Sequence, residues 1–127
     1  MSAARVAVVA DDLIWGTRLV ELVRTAGADP VPCRTRQALE GAIPASRAAL
    51  VDLSGRGYDG IELIALASKH GVRVLAIGQH DDATLRYRAR AAGAERVLAY
   101  RALAEGGPAL VGGWLADNGA IRPQPGS

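Results

Sequence analysis

Ala48-Ala49-Leu50-Val51-Asp52 decides the fold of this chain, together with the glycine-rich stretch after it, Leu53-Ser54-Gly55-Arg56-Gly57-Tyr58-Asp59-Gly60. A short, unalternating apolar run is the pattern of a strand buried on both faces. An earlier run of the same character, Val6-Ala7-Val8-Val9-Ala10, ends in Asp11-Asp12. Two such strands can bring their carboxylates together at the C-terminal edge of one parallel sheet, where open α/β sheets hold ligands. Three aspartates there, Asp11, Asp12 and Asp52, with little positive charge between them, ask for a hard divalent cation, magnesium first.

Outward from these two runs, strands and helices alternate. Leu19, Leu22, Val23 and Ala26 recur at helical spacing over Leu13–Ala26, and Gly27 stops that helix. Asp29–Cys33 is a weaker strand whose Pro30 and Pro32 suit a sheet edge. Thr35 caps a short helix through Ile43, ended by Pro44. Gly60–His70 is a third helix with Ile61, Ile64 and Ala65 expected inward, and Asp59 is a turn residue. Arg73–Gly78 is the fourth strand. Asp81 or Asp82 caps a fourth helix with Leu85, Ala89 and Ala92 on one stripe, and Gly93 closes it. Arg96–Ala99 is the fifth strand. Pro108 suits the first turn of a last helix and Gly119 its stop. Gly112 and Gly113 cost roughly 1 kcal/mol each against Ala, so that helix is expected to be short or soft. Five βα units predict an α/β fold: a five-stranded parallel sheet with right-handed crossovers and helices on both faces. The flavodoxin-like order 2-1-3-4-5 is the default for such a chain.

The 127 residues fit one domain, expected over 1–119, with a flexible tail over 120–127. Half the chain is apolar and Phe is absent, so Val, Leu, Ile and Ala must build the core. Trp114 is expected there too. A net charge of +2 is too small to suggest nucleic acid. No apolar run approaches the length of a membrane span. Cys33 is the only cysteine, which excludes an internal disulfide and fits a reducing compartment. It is expected to pack as a small apolar residue. The reading is of a soluble, cytoplasmic protein. His70 and His80 lie at element ends without ligand spacing and read as surface. No Ser–His–Asp, metalloprotease or P-loop pattern is present, and the chain does not read as an enzyme.

Over roughly residues 5–116 the chain resembles the receiver domain of bacterial response regulators. Val8-Val9-Ala10-Asp11-Asp12 is similar to that family's first-strand acidic motif, with Ala10 where the first acid stands. Asp52 matches the aspartate that takes a phosphoryl group from a histidine kinase. The spacing from Asp52 to Asp59-Gly60 is the family's, with Arg56 in place of its proline. The resemblance implies a magnesium site formed by Asp11, Asp12, Asp52 and the backbone carbonyl of Ser54. The remainder of the family pattern is altered. Gly78 stands where the fourth strand ends in Thr or Ser, Tyr100 where a Lys pairs with the phosphate, Arg101 where a Pro follows it, and Val97 where an aromatic switch residue lies. The one lysine, Lys69 on the third helix, cannot stand in.

A phosphorylated aspartate gains about two negative charges and needs donors around it. The resemblance with these departures implies an atypical or pseudo-receiver: magnesium weak or absent, phosphorylation of Asp52 weak or absent, and action through protein–protein contact. The family's partner face is helix 4, strand 5 and helix 5, here carrying Arg86, Tyr87, Arg90 and Arg101. Its occupant is expected to be a histidine kinase, an effector or a second copy of the chain, and not nucleic acid or membrane. Two other readings stand beside this one. One is a phosphorylatable single-domain regulator in a phosphorelay. The other is a Rossmann-like nucleotide-binding module, because Gly55, Gly57 and Gly60 formally make a G-x-G-x-x-G after a strand, with Asp81 further on.

Overall fold

The computed structural model describes residues 3–79 and 81–117. The expectations for His80, for Gly119 and for the tail fall outside these residues. The elements are β1 (Arg5–Val9), α1 (Leu13–Thr25), β2 (Asp29–Cys33), α2 (Arg36–Ala42), a 3-10 turn at Ile43–Ala45, β3 (Ala48–Asp52), α3 (Gly60–Lys69), β4 (Arg73–Gly78), α4 (Ala83–Ala92), β5 (Arg96–Ala99) and α5 (Tyr100–Ala116). The five strands form one parallel sheet in the order β2-β1-β3-β4-β5. This is the flavodoxin-like topology that the alternation of elements predicts.

The unalternating apolar strands are buried on both sides, as a parallel sheet under two helical layers requires. Val6, Val8, Leu50, Leu75 and Ile77 pack toward α1 and α5, against Leu19, Val23, Leu103, Val111 and Trp114. Ala7, Val9, Val51, Val74 and Ala76 pack on the other face, against Leu39, Leu63, Ile64, Ala67 and Ala89. Cys33 is buried in that second layer, and Trp114 in the first. The prolines of β2 sit on a true edge, paired with β1 alone. Capping follows the sequence: Asp12, Thr35, Asp59 and Asp82 each accept an amide N–H of the first helical turn.

Two local expectations are corrected. On α3 the inward residues are Leu63, Ile64 and Ala67, while Ala65 is exposed and Ile61 only half-buried. Asp59 sets the start of the helix, and the stripe that faces the sheet runs one step round from the expected one. The last helix begins at Tyr100, directly after β5, so Pro108 lies inside it rather than in its first turn. The helix also continues through Gly112 and Gly113 to Ala116, instead of being short. Packing against α1 explains its persistence. Gly107 is buried, and a Cβ added there would stand 2.5 Å from Leu22 Cδ2. The glycines that weaken the helix in isolation let it close on its neighbour, and tertiary contact overrides propensity.

At the edge of the sheet remote from the aspartates, Arg73 makes a bidentate pair with Glu95, whose Oε1 also accepts the Trp114 indole N–H at 3.2 Å. The Arg73 guanidinium lies 4.7 Å over the Trp114 ring. These contacts tie β4, the segment before β5 and α5 together.

Candidate functional site

The C-terminal edge of the sheet carries the sequence-predicted residues. β1 and β3 are neighbours in register, Val9 opposite Val51, so Asp11 and Asp52 emerge side by side from adjacent strand ends. β3 and β4 pair Asp52 with Ile77, and β4 and β5 pair Gly78 with Ala99. Asp52, Gly78 and Tyr100 therefore stand along the tops of three successive strands.

Asp52 is completely buried. Its Oδ1 accepts three hydrogen bonds, from the Ser54 amide at 3.0 Å, from the Ser54 hydroxyl at 2.9 Å and from the Tyr100 hydroxyl. Its Oδ2 is buried with no hydrogen-bond partner, alone among the buried side-chain polar atoms of the described residues. One oxygen is saturated and the other is orphaned, an uneven and costly state for a carboxylate out of water.

The other two aspartates are engaged elsewhere. Asp11 Oδ2 accepts the amides of Arg56 at 3.0 Å and Gly57 at 2.6 Å, pinning the β3–α3 loop to the end of β1. Asp12 Oδ1 accepts the Trp15 amide at 2.9 Å and caps α1. Ser54 turns its amide and hydroxyl to Asp52. The three acids share one edge, but among the described residues no group of three or more His, Cys, Asp or Glu side chains is gathered to hold a metal ion. One oxygen of each acid is already taken, Asp11 Oδ2 by two amides, Asp12 Oδ1 by the Trp15 amide and Asp52 Oδ1 by three donors, so a divalent cation, which needs several converging oxygens, would require these acids to re-aim.

Tyr100 bonds the Asp52 carboxylate itself. The Arg101 side chain is 89% exposed and pairs with Glu105 at 2.8 Å. Trp15 stacks on Tyr100, ring centroids 4.6 Å apart at 46°. The Arg18 guanidinium lies 5.2 Å over Trp15. At Gly78 an added Cβ would stand 3.1 Å from Leu53 Cδ1, so the leucine side chain occupies the space beside the strand end. Val97 is buried in the core layer with α3 and α4.

Tyr58 went unnoticed in the sequence. Its hydroxyl lies 2.6 Å from the Asp52 carbonyl oxygen and 3.2 Å from that of Val9, bridging β3 to β1. The ring folds back over Gly55, where a Cβ would collide with it. The only available signal was an aromatic residue inside a glycine-rich loop. The same contacts account for the G-x-G-x-x-G pattern within the chain: Gly55 makes room for Tyr58, the Gly57 amide is bound by Asp11, and Gly60 packs against Leu53.

On the expected partner face, Tyr87 is 74% exposed and Arg90 and Arg101 are exposed, with Arg86 half-buried beside them.

Burial pushes both site tyrosines above the ordinary phenol range. For Tyr58 the negative charges of Asp52 and Asp11 add to it, and for Tyr100 the hydrogen bond to Asp52 does. Burial raises the Cys33 thiol as well. The unfolded chain therefore releases these protons first as pH rises, and stability falls. Each group costs up to about 1.4 kcal/mol per pH unit above its unfolded value, less for Tyr100, which solvent partly screens. Thermal melts are expected to hold level up to about pH 8.5 and then drop through pH 10–11. A flat profile over that window would contradict the buried placement of the phenols.

No family model matches the sequence, and no curated protein matches it. Solved structures do match its fold. The BeF3-activated receiver domain of DrrB is 19% identical with a TM-score of 0.77, over 91% of this chain and 98% of that one. The signal receiver domain of NarL from Mycobacterium tuberculosis is 23% identical with a TM-score of 0.77, over 93% and 100%. A response regulator from Burkholderia pseudomallei, solved with a phosphorylated aspartic acid, a calcium ion and citrate, is 18% identical with a TM-score of 0.68, over 89% and 73%. The chain has the receiver fold.

Proposed function

We propose that this chain is an atypical receiver of the two-component type, acting by protein–protein contact, with phosphorylation at Asp52 weak or absent. The observation that carries this reading is the hydrogen bond from Tyr100 to a fully buried Asp52. A phosphoryl donor must reach a carboxylate oxygen, and a transferred phosphoryl group brings about two negative charges. Here the nearest side chain is a neutral phenol, the strand-4 position has no hydroxyl, and the acids are turned to loop amides and a helix cap. Magnesium binding is weak or absent for the same reasons. The solved neighbours with BeF3 or with a phosphorylated aspartate and calcium show what the fold supports in those proteins.

A face that is not switched can still bind, provided its resting shape is the binding shape. The exposed Tyr87, Arg90 and Arg101, with Arg86, are of the residue types enriched at binding hot spots. The proposed occupant is a kinase, an effector or a second copy of the chain.

The test is labelling with acetyl phosphate and magnesium, read by intact mass, beside calorimetry with a candidate partner. The wild-type chain is expected to stay essentially unlabelled over hours. It should bind its partner as Asp52→Asn does, and lose at least about tenfold in affinity in the double change Arg86→Glu, Arg90→Glu. Rapid stoichiometric labelling that vanishes in Asp52→Asn would instead establish the phosphorylatable regulator.

A further inference from the structure

Tyr100 opens α5 directly after β5, and Ala99 before it offers no side-chain cap. Its side chain therefore leans back toward the helix start and the sheet edge. From there the hydroxyl reaches Asp52 on β3, with β4 between them. Two strand spacings are about 9.5 Å. The strand between them, β4, ends in Gly78, which carries no side chain. Trp15 holds the ring from outside, and the Trp15 backbone is itself fixed by the Asp12 cap. Beyond Trp15 lies a groove of about 360 Å3 between α1 and α5, bordered by Arg18, Leu22, Leu103 and Pro108. Trp15 itself lines that groove, which borders the side toward which the ring pair would turn.

From these contacts we infer that Tyr100 is a latch on Asp52: hydroxyl and ring close the carboxylate, Trp15 keeps the latch seated, and outward rotation of the pair opens the site to small reagents. The inference rests on reading Asp52 as the counterpart of a receiver's acceptor, but it concerns access and not phosphoryl chemistry. The orphaned Oδ2 supports it. A carboxylate oxygen left without a partner in a closed site marks a group whose solvation has been withheld by its cover. Tyr100 is a positioning residue in this scheme.

Carbodiimide-driven coupling of glycine ethyl ester to carboxylates, read by peptide mass spectrometry on the full chain, measures access directly. The exposed Asp82 is the internal reference. In the wild type, Asp52 is expected to couple far more slowly than Asp82. Tyr100→Phe keeps the ring and the fold but loses the hydrogen bond. Asp52 coupling should rise about tenfold, the factor carried by one hydrogen bond to a charged acceptor. Tyr100→Ala should raise it further, and Trp15→Ala should raise it with Tyr100 intact. Asp82 should not change. Equal Asp52 rates in wild type and Tyr100→Phe, at matched circular dichroism and melting temperature, would overturn the latch. So would an Asp52 that couples as fast as Asp82 in the wild type. Acetyl phosphate labelling judges the reading of the site separately: an Asp52 freed in Tyr100→Phe yet unphosphorylated upholds the latch and locates the remaining block in the missing Lys and hydroxyl.

Discussion

Asp52→Asn is expected to make the folded chain more stable by about 2–3 kcal/mol, a gain on the order of 10 °C in melting temperature for a domain of this size. Most buried substitutions do the reverse. The sign follows from the division of labour within the carboxylate. Oδ1 accepts three donors and would keep them as an amide oxygen. Oδ2 accepts none while fully buried. Replacing that oxygen with an amide NH2 keeps shape and volume and removes an uncompensated share of buried charge, a larger effect than the unpaired amide it leaves. Urea and thermal unfolding at neutral pH measure it. A loss of more than about 1 kcal/mol would mean that the orphaned oxygen is compensated in solution, and the account of a closed, unsolvated acid would fall. The gain would show that the chain keeps an ionisable residue at a cost to its own fold, as functional sites do.

Gly93→Ala is expected to cost about 3 kcal/mol, from two separable sources. Gly93 ends α4 with φ at +125°, where a side chain is strained. A Cβ there would also stand 2.3 Å from Ser68 Oγ and 2.6 Å from Ser68 Cβ, on the packed seam between α3 and α4. Gly27 supplies the control. Its φ is +94° with nothing within 4 Å of a new Cβ, so Gly27→Ala carries the backbone strain alone, about 1 kcal/mol. Adding Ser68→Gly to Gly93→Ala should recover the steric share and leave a deficit near that of Gly27→Ala. If the single change at Gly93 costs no more than the one at Gly27, the close approach of α3 and α4 is looser than described.

The fold was legible because four of the five strands announced themselves as apolar runs and the first four helices as segments with a capping residue at their start. The C-terminal glycines Gly27, Gly71 and Gly93, all at positive φ, punctuated the chain where the structure ends its helices. The start of α5 was not legible, since Gly106-Gly107-Pro108 reads locally as a boundary and only contact with Leu22 shows why a helix runs through it. The site was half legible. Strand ends placed Asp11 and Asp52 at one edge, and the family resemblance put Tyr100 at a position belonging to the same site. Where each carboxylate points depends on which amide or hydroxyl comes within 3 Å, and loop geometry settles that over long sequence separations. Asp11 meets Arg56 and Gly57, and Tyr58 meets Val9, through contacts that no local pattern encodes.

The contact between Gly78 and Leu53 couples substitutions at the two positions. A hydroxyl at position 78 needs a Cβ, and the Leu53 side chain lies 3.1 Å from where that atom would be. Gly78→Thr by itself meets crowding before it delivers any new chemistry. Shortening Leu53 by itself opens a hole in the packing before there is anything to fill it. Each single change toward a hydroxyl-bearing strand end requires its neighbour to shift, and the two changes together are expected to cost less than their sum. Tyr100, whose hydroxyl bonds Asp52 next to Leu53 in the chain, is expected to join the same dependency. Leucine, glycine and tyrosine thus form one coupled unit: the cost of changing any one of them depends on what stands at the other two, and substitutions here are expected to be non-additive.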